Sequence, residues 1–148
     1  MPDSAREIEN LLYTYAERID AGDLAGVAEL FTHGRIHGQP DGPPETVFEG
    51  AEAVRRLYEA TTRIHDATGT PRTHHVTTNP LIEVDDEAGT ATCRSRFTVL
   101  QATEELPLQP IVAGRYADTF HRLDGRWWFE SRTMHVDLVG DLGHHLML

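Results

Sequence analysis

The sequence predicts an α+β fold in which three N-terminal helices pack against one face of a long, curved antiparallel sheet. Apolar residues recur at helical spacing up to about residue 64, and period-two alternation takes over after Arg72. Helical and extended segments are thus segregated along the chain, an order typical of α+β domains. A long sheet that folds over a helix forms a cone, and the open end of a cone is a natural ligand pocket.

The first helix is predicted to begin at Ser4, because Ser4 and Glu7 have the spacing of a capping box. It is expected to end at Ala21-Gly22, where Gly22 can take the left-handed conformation that closes many helices. The apolar residues within this segment share one stripe at helical spacing: Ile8, Leu11, Leu12, Tyr15 and Ile19.

A second, shorter helix is predicted over residues 24–31, with Asp23 as a favourable N-cap. It is followed by a loop rich in glycine and proline, residues 34–45. We expect this loop to interrupt two short strands, residues 35–37 and 46–49.

The third helix is predicted over residues 51–64. Its apolar residues recur at helical spacing and form an inward row: Val54, Leu57, Tyr58 and Thr61. Residues 66–71 contain Gly69 and Pro71, which break the helix and lead into the sheet.

The rest of the chain is predicted to form a meander of four strands. They cover residues 73–84, 90–101, 111–123 and 126–137. The first strand is expected to contain a bulge at Asn79-Pro80, because proline cannot donate to a strand ladder. Asp124-Gly125 has the composition of a two-residue turn with positive φ. Alternation in the second strand puts one set of residues on the inward face: Ala91, Cys93, Ser95, Phe97 and Val99.

Length and charge narrow the classes of function. A chain of 148 residues is the size of one domain, which we assign to residues 1–148, with a core at 5–137 and a tail at 138–148. The formal net charge of −11 argues against nucleic acid and anionic membranes as partners, since both bind clustered Lys and Arg. Cys93 is the single cysteine, so no intrachain disulfide is expected. No secretion signal or apolar span is evident, and the protein is predicted to be cytoplasmic.

Two adjacent histidines, His74 and His75, lie in the first long strand. Neighbours in a strand face opposite sides, so one imidazole points into the fold; Thr77 and Asn79 share the face of His75. An imidazole that titrates near neutrality inside a pocket is a usable proton carrier, and activity is then expected to fall at low pH. A hydrogen-bonded structural histidine is the alternative.

Several short motifs occur in an order that is typical of one known family. They are the run from Tyr15 to Leu24, Leu30-Phe31, His74-His75, Gly114-Arg115-Tyr116 and the run from Asp124 to Phe129. Over roughly residues 5–137 the chain resembles the SnoaL-like branch of the nuclear-transport-factor-2-like superfamily. The resemblance implies a cone-shaped, cystatin-like α+β fold, a deep apolar pocket and a homodimer formed through the outer face of the sheet. It leaves the function open, because this scaffold carries both enzymes and binding proteins.

Within that superfamily the sequence is most similar to the cofactor-free lyases scytalone dehydratase, bile-acid dehydratase and hexachlorocyclohexane dehydrochlorinase. The resemblance implies that Asp20 and His75 match the aspartate and histidine that those enzymes pair. It also matches Tyr15 to a tyrosine that the bile-acid enzyme has five residues before its aspartate. The second catalytic histidine of scytalone dehydratase would fall near residues 94–96, where this chain has none. The substrate and full mechanism of that enzyme are therefore not carried over.

The chemistry of these three residues is consistent with proton abstraction. Asp20 ends a helix, where the macrodipole disfavours a carboxylate, so it needs a partner. His75, oriented by that carboxylate, would remove a proton α to a carbonyl or β to a leaving group, and Tyr15 would donate to an oxygen that gains charge or departs. Five residues on a helix are about 140° apart, so Tyr15 and Asp20 reach one pocket only if the helix ends there or the pocket wraps it. A turn carboxylate at Asp20 and a core tyrosine at Tyr15 are the alternatives.

The remaining predictions concern the ligand. It is expected to be a small hydrophobic molecule in contact with five residues: Leu12, Ile19, Tyr58, Tyr116 and His135. No phosphate-binding glycine loop or nucleophile elbow is present, and no cofactor is predicted. No metal is predicted either, because His144-His145 in the tail lacks a third ligand. The tail, which ends in Leu146-Met147-Leu148, is expected either to cap the pocket or to dock on a partner. One set of arginines is interpreted as solvated sheet residues or salt-bridge partners: Arg94, Arg96, Arg115 and Arg132.

Two functions follow from these residues. The first is a cofactor-independent lyase or isomerase that acts on a hydrophobic, oxygenated small molecule through an Asp20-His75 dyad. The second is a non-catalytic small-molecule-binding protein or accessory subunit with the same fold. A dyad beside an accessible cavity favours the enzyme, and a dyad sealed in the core with backbone partners favours the binding protein.

Overall fold

The computed structural model describes residues 3–147 and has three helices before the four long strands, with two short strands between the second and third helices. The helices are α1 (Ser4–Asp20), α2 (Leu24–Glu29) and α3 (Gly50–Thr61). A single 3-10 turn, Pro44–Thr46, lies in the predicted glycine- and proline-rich loop. The predicted succession of three helices and then a long sheet is confirmed.

Helix α1 begins and ends where predicted, but its N-terminal cap differs. Asp3 is the N-cap, and its carboxylate accepts a hydrogen bond from the Arg6 backbone N–H at 3.1 Å. The capping box predicted at Ser4 and Glu7 is therefore wrong: the carboxylate one residue earlier takes the cap, and Ser4 Oγ donates to Asp86 instead. At the other end Gly22 has φ +76°, and a Cβ there would meet the carbonyl oxygen of Gly69, which confirms the glycine cap.

Helices α2 and α3 are shorter than predicted. Asp23 caps α2 as expected, accepting from the Gly26 backbone N–H at 2.9 Å. Helix α3 stops at Thr61 because Thr62 is extended and forms a β-bridge with Leu146 in the C-terminal tail. That pairing is long-range, so the local helical periodicity over residues 51–64 gave no sign of it.

The sheet has six strands within the described residues, in the order β2-β1-β6-β5-β4-β3. The strands are β1 (Arg35–His37), β2 (Val47–Glu49), β3 (Thr73–Asp85), β4 (Thr90–Gln101), β5 (Gln109–Leu123) and β6 (Arg126–Val139). The four long strands form the predicted antiparallel meander, and β1 pairs with β2 in the same antiparallel sense. Strand β1 runs parallel to β6, so the sheet is mixed rather than wholly antiparallel. The predicted α+β class is confirmed.

Both predicted irregularities of the meander are present. The register of β3 against β4 shifts between Thr78 and Leu81, and Asn79 has φ +55°, which confirms the bulge at Asn79-Pro80. Asp124 and Gly125, with φ of 50° and 78°, form the predicted tight turn between β5 and β6.

The core lies between the helices and one face of the sheet. Strand β4 contributes the predicted alternate residues, all of them buried: Ala91, Cys93, Ser95, Phe97 and Val99. The α1 stripe packs on this face, with Ile8 and Leu12 fully buried. Trp127 is buried and Trp128 is partly exposed beneath the Arg126 guanidinium, as alternation along a strand requires.

The tail folds back onto the end of α3. The Arg63 N–H donates to the carbonyl oxygen of His145 at 2.7 Å, and the Met147 N–H donates to that of Thr61 at 2.9 Å. Of the two places predicted for the tail, the structure favours the pocket, because Leu146 lines it. Leu148, the last residue of the predicted apolar end, lies outside the described residues.

Several apolar side chains remain on the surface near the end of β6. Leu138 is 70% exposed and Val139 is 65% exposed. The homodimer predicted from the resemblance stays a prediction. No helix among the described residues is long and apolar enough to cross a membrane.

Candidate active site

A cavity of about 270 Å³ lies between α1, α3, the inward face of the sheet and the C-terminal tail. Most of its lining is aliphatic or aromatic, including Ile19, Phe97 and Met134. The titratable groups in its wall are three tyrosines and two histidines: Tyr15, Tyr58, Tyr116, His75 and His145. An apolar cavity with a few convergent polar groups is the usual form of a small-molecule site.

Asp20 and His75 are in direct contact. His75 Nδ1 is 2.7 Å from Asp20 Oδ1, and the His75 backbone N–H donates to Asp20 Oδ2 at 2.8 Å. Thr73 Oγ1 also donates to Asp20 Oδ1, at 2.8 Å. The pair forms because α1 ends at Asp20, next to β3, and because the strand alternation turns His75 inward and His74 outward.

The donors around Asp20 hold it in the charged form. Partial burial acts to raise the pKa of this carboxyl group, but the hydrogen bonds and charge of His75 and the Thr73 hydroxyl outweigh burial and lower it below the ordinary value. Because an ionised carboxylate accepts and does not donate, His75 Nδ1 carries the proton in this pair. His75 Nε2 is then the ring nitrogen with a free lone pair.

Asp20 lies behind His75 rather than in the cavity. The cavity is lined by His75, whereas Asp20 lines a separate surface groove together with Thr73. The two residues therefore have different access: the imidazole can meet a ligand, and the carboxylate can act on the ligand only through the imidazole.

Tyr15 points into the cavity from the same helix. Its hydroxyl group forms a hydrogen bond with that of Tyr58, and its ring lies edge-on to the ring of His75, with centroids 6.5 Å apart. The 140° separation of Tyr15 and Asp20 is accommodated because the helix stops at Asp20, which reaches His75 from the strand side. Burial raises the pKa of the Tyr15 phenol, while the Arg132 charge acts to lower it.

Arg132 is a salt-bridge partner, one of the two roles expected for it, but its side chain is fully buried and not at the surface. It forms two hydrogen bonds to the fully buried Asp118, at 2.8 and 3.0 Å. Its guanidinium carbon lies 3.6 Å from the ring centroid of Tyr116 and 4.4 Å from that of Tyr15. Burial acts to lower the pKa of Arg132, but the Asp118 charge outweighs burial and raises it, so the guanidinium stays charged.

The predicted ligand contacts divide into two groups. Ile19, Tyr58 and Tyr116 line the cavity. Leu12 and His135 do not, so the placement predicted for them is wrong. Leu12 is fully buried in the helix–sheet core, on the same stripe of α1 as Tyr15 and Ile19 but nearer the start of the helix.

His135 lies outside the cavity because of a bulge in β6. Thr119 and Phe120 are consecutive in β5, but their partners in β6 are Ser131 and Phe129. Glu130, between these partners, is therefore an extra residue. Trp127 and Phe129 face inward before this bulge, and Arg132, Met134 and Val136 face inward after it. One inserted residue exchanges the two faces of a strand, which turns Arg132 inward and His135 outward.

Two features of the site were missed by sequence reasoning. Asp118 had a usable signal, since it lies at the inward alternation of β5 between Tyr116 and Phe120. His145 had none, because the tail after β6 has no periodicity that would predict where its side chains lie.

The stability of the protein is expected to fall between about pH 7 and pH 4.5 because of His145. Burial, with the neighbouring charges of His75 and His65, lowers the pKa of this imidazole to about 4, although Asp20 acts in the opposite direction. The unfolded chain binds a proton on His145 below about pH 6.5 and the folded chain does not, so unfolding is favoured as the pH falls through this window. Urea midpoints of the wild type and His145→Gln measure the effect. Between these pH values the free energy of unfolding of the wild type should fall by on the order of 2 kcal/mol more than that of the variant. If the free energies of unfolding of the two proteins changed with pH in parallel, the lowered pKa of His145 would be contradicted.

Comparison with known proteins agrees with this fold. The sequence pattern of the SnoaL-like domain matches residues 3–133. A Mycobacterium tuberculosis protein of unknown function is 28% identical, with a TM-score of 0.71 over 91% of this chain and 72% of that one. A Nostoc punctiforme protein with a cystatin-like fold is 22% identical, with a TM-score of 0.73 over 93% of this chain and 94% of the other.

A Novosphingobium aromaticivorans protein named as a candidate scytalone dehydratase is 23% identical, with a TM-score of 0.69 over 94% of this chain and 93% of that protein. No curated protein matches the sequence. The resemblance predicted from the short motifs and the cystatin-like fold are both confirmed. Since the family pattern covers nearly the whole chain, the chain belongs to the SnoaL-like domain family.

Proposed function

We propose that this protein is a cofactor-independent lyase or isomerase that removes a proton from carbon in a small hydrophobic, oxygenated molecule such as a polyketide, steroid or terpenoid. The observation that supports it is the 2.7 Å contact between His75 Nδ1 and Asp20 Oδ1, with His75 in the cavity wall and 6% of its side chain exposed. An imidazole backed by a carboxylate and open to a cavity is the arrangement that proton abstraction requires.

His75 is the general base of the proposed reaction. With its Nδ1 proton donated to Asp20, Nε2 accepts a proton from a carbon next to a carbonyl group. The imidazolium that forms is stabilised by the Asp20 carboxylate, whose lowered pKa keeps it charged. Asp20 is a positioning residue in this scheme, because it acts on the substrate through His75.

Tyr15 is the proposed donor to an oxygen that gains charge or departs. Its raised pKa keeps the phenol protonated, so the group can donate but does not compete with His75 as a base. The Arg132 guanidinium lies 4.4 Å from the Tyr15 ring centroid. Its charge favours negative charge on the phenolic oxygen of Tyr15, which makes the phenol a stronger hydrogen-bond donor.

The wall of the cavity supports a hydrophobic substrate. Apart from the tyrosines and histidines it is formed mainly by side chains such as Leu57, Val99 and Val112, which offer no hydrogen bonds. Such a surface excludes water, and without water the electrostatic interactions of the few polar groups are stronger.

The alternative is a non-catalytic binding protein, and one observation favours it. Asp20 also joins α1 to β3, through Thr73 Oγ1 and the backbone N–H of His75. A carboxylate with these partners would be retained for stability alone. The two functions differ in whether a carbon-bound proton is lost from a bound ketone.

Wild-type protein is expected to accelerate both proton exchange and formation of conjugated ketones. The substrates to test are β-hydroxy ketones and β,γ-unsaturated ketones on decalin and aromatic frames, because dehydration of the first and isomerisation of the second both give a conjugated ketone that absorbs in the ultraviolet. Exchange of α-protons in D₂O, read by mass spectrometry, detects proton removal without any leaving group. Binding of these ketones with neither exchange nor product would contradict the proposal and support the binding protein.

A further inference from the structure

His145 lies in the cavity wall although it comes from the C-terminal tail. The residue is 5% exposed, and the main chain around it is fixed. Its carbonyl oxygen accepts from the Arg63 N–H at 2.7 Å, and the carbonyl oxygen of His144 accepts from Gln101 Nε2 at 2.9 Å. The position of the imidazole is therefore set by backbone contacts on either side of it rather than by hydrogen bonds of its own ring.

The His145 ring is buried without the partners that burial normally requires. Its Nδ1 has no hydrogen-bond partner among residues 3–147. An unpaired buried nitrogen is costly, and in native proteins such groups commonly have a functional explanation. Nδ1 itself has almost no accessible surface, but the imidazole as a whole lines the cavity, where it can meet a ligand that carries a polar atom.

The two histidines of the cavity lie close together but have different partners. Their ring centroids are 5.8 Å apart, at an interplanar angle of 68°. His75 is backed by Asp20, whereas His145 has no carboxylate in hydrogen-bond contact with its ring among the described residues. Burial lowers the pKa of His145 to about 4, so its imidazole is uncharged at neutral pH and keeps one N–H donor.

We propose that His145 is a catalytic residue whose ring N–H binds the carbonyl oxygen of the substrate while His75 removes the proton from the adjacent carbon. This inference rests on the proposed function, and the steps that follow are those for a β-hydroxy carbonyl compound. The electron pair of the broken C–H bond moves toward the carbonyl group, and His145 stabilises the enolate oxygen that results. The enolate then expels the β-hydroxyl group, which takes up the proton held by His75 and leaves as water. The carbonyl group reforms and His75 is restored.

This scheme divides two oxygens between two donors. His145 binds the oxygen that gains charge, and Tyr15, in the wall next to His75, is left to donate to the oxygen that departs. Loss of His145 therefore slows proton removal itself, whereas loss of Tyr15 acts on the later expulsion step.

Binding of 2-naphthol tests the oxygen contact without turnover, because this probe presents one acidic oxygen on an apolar frame, like an enolate. His145→Phe keeps the ring shape and loses the donor, and His145→Gln keeps a donor. His144→Phe is the matched control, since His144 lies outside the cavity lining and its hydrogen bonds to His65 and Gln101 are made by its backbone oxygen. The expected result is at least about tenfold weaker 2-naphthol binding by His145→Phe, with the other two variants within about threefold of wild type. Naphthalene, which has no oxygen, should bind all four proteins equally.

Exchange of α-protons in D₂O then tests the catalytic role. His145→Phe should lower kcat for exchange by about 10² to 10³, with a much smaller change in KM, and His145→Gln should recover part of the loss. Unchanged naphthol affinity and unchanged exchange in a folded His145→Phe would overturn the inference while leaving the proposed function intact. If the wild type exchanges no ketone, the proposed function fails. If His145→Phe then still bound 2-naphthol more weakly than the wild type, His145 would be a ligand contact only, and the catalytic assignment would be overturned.

Discussion

His75→Ala is expected to lower turnover by about 10³ or more and to leave the melting temperature nearly unchanged. The loss is large because the variant has no base at the cavity wall, and general-base catalysis contributes about 10² to 10⁴ to a rate. The effect on stability is small because Asp20 keeps its hydrogen bonds from Thr73 Oγ1 and from the backbone N–H of residue 75. Rates of α-proton exchange and thermal unfolding curves measure the two quantities.

His74→Ala is the matched control for this substitution. It removes the same side chain from the neighbouring position of β3, where the histidine is exposed and outside the cavity lining. Its turnover and melting temperature should match those of the wild type. A His75→Ala protein that unfolds many degrees earlier, yet keeps full activity in its folded fraction, would indicate a structural histidine and remove the basis of the proposed mechanism.

Arg132→Met is expected to cause the largest loss of stability, about 3–5 kcal/mol. The substitution leaves the Asp118 carboxylate fully buried without its charged partner, since both side chains of this pair are inaccessible to solvent. It also removes the cation that lies over the rings of Tyr15 and Tyr116. For a domain of this size the melting temperature should fall by about 6–20 °C, measured by thermal unfolding.

The double variant Arg132→Met/Asp118→Leu separates the ion pair from simple loss of packing. Because it leaves no unpaired charge in the core, it should recover most of the stability that the single variant loses. Arg115→Met is the surface control: it breaks a pair with Asp137 that is exposed to solvent, and its melting temperature should not change measurably. A single Arg132→Met variant as stable as this control would rule out a structural role for the buried pair.

Local patterns were sufficient for most of the fold. The helical stripe from Ile8 to Ile19 and the alternation along β4 each follow from the geometry of one element, so they are readable without the rest of the chain. Asp124-Gly125 and the bulge at Asn79-Pro80 depend only on the φ preferences of their own residues. At the end of α3 the predicted helix was too long, because Thr62 forms a β-bridge with Leu146, a residue distant in sequence.

The pairing of Asp20 with His75 was implied by the resemblance to the cofactor-free lyases and not by a local pattern. Strand alternation required only that one of the two adjacent histidines point inward, and the structure shows that it is His75, in contact with the carboxylate at the end of α1. The roles of these two residues, and of Tyr15, stay predictions that the substitutions above will test.

What the sequence determined by itself was the class of fold, the order of its elements and the inward faces of α1 and β4, because helix and strand periods are properties of the local backbone. Only the tertiary structure decided that Arg132 is buried and His135 is not, since the bulge at Glu130 arises from the pairing of β6 with β5 and exchanges the faces of the strand beyond it. It also brought His145 into the cavity, because a tail without periodicity is positioned by the long-range hydrogen bonds that hold it against Arg63 and Gln101.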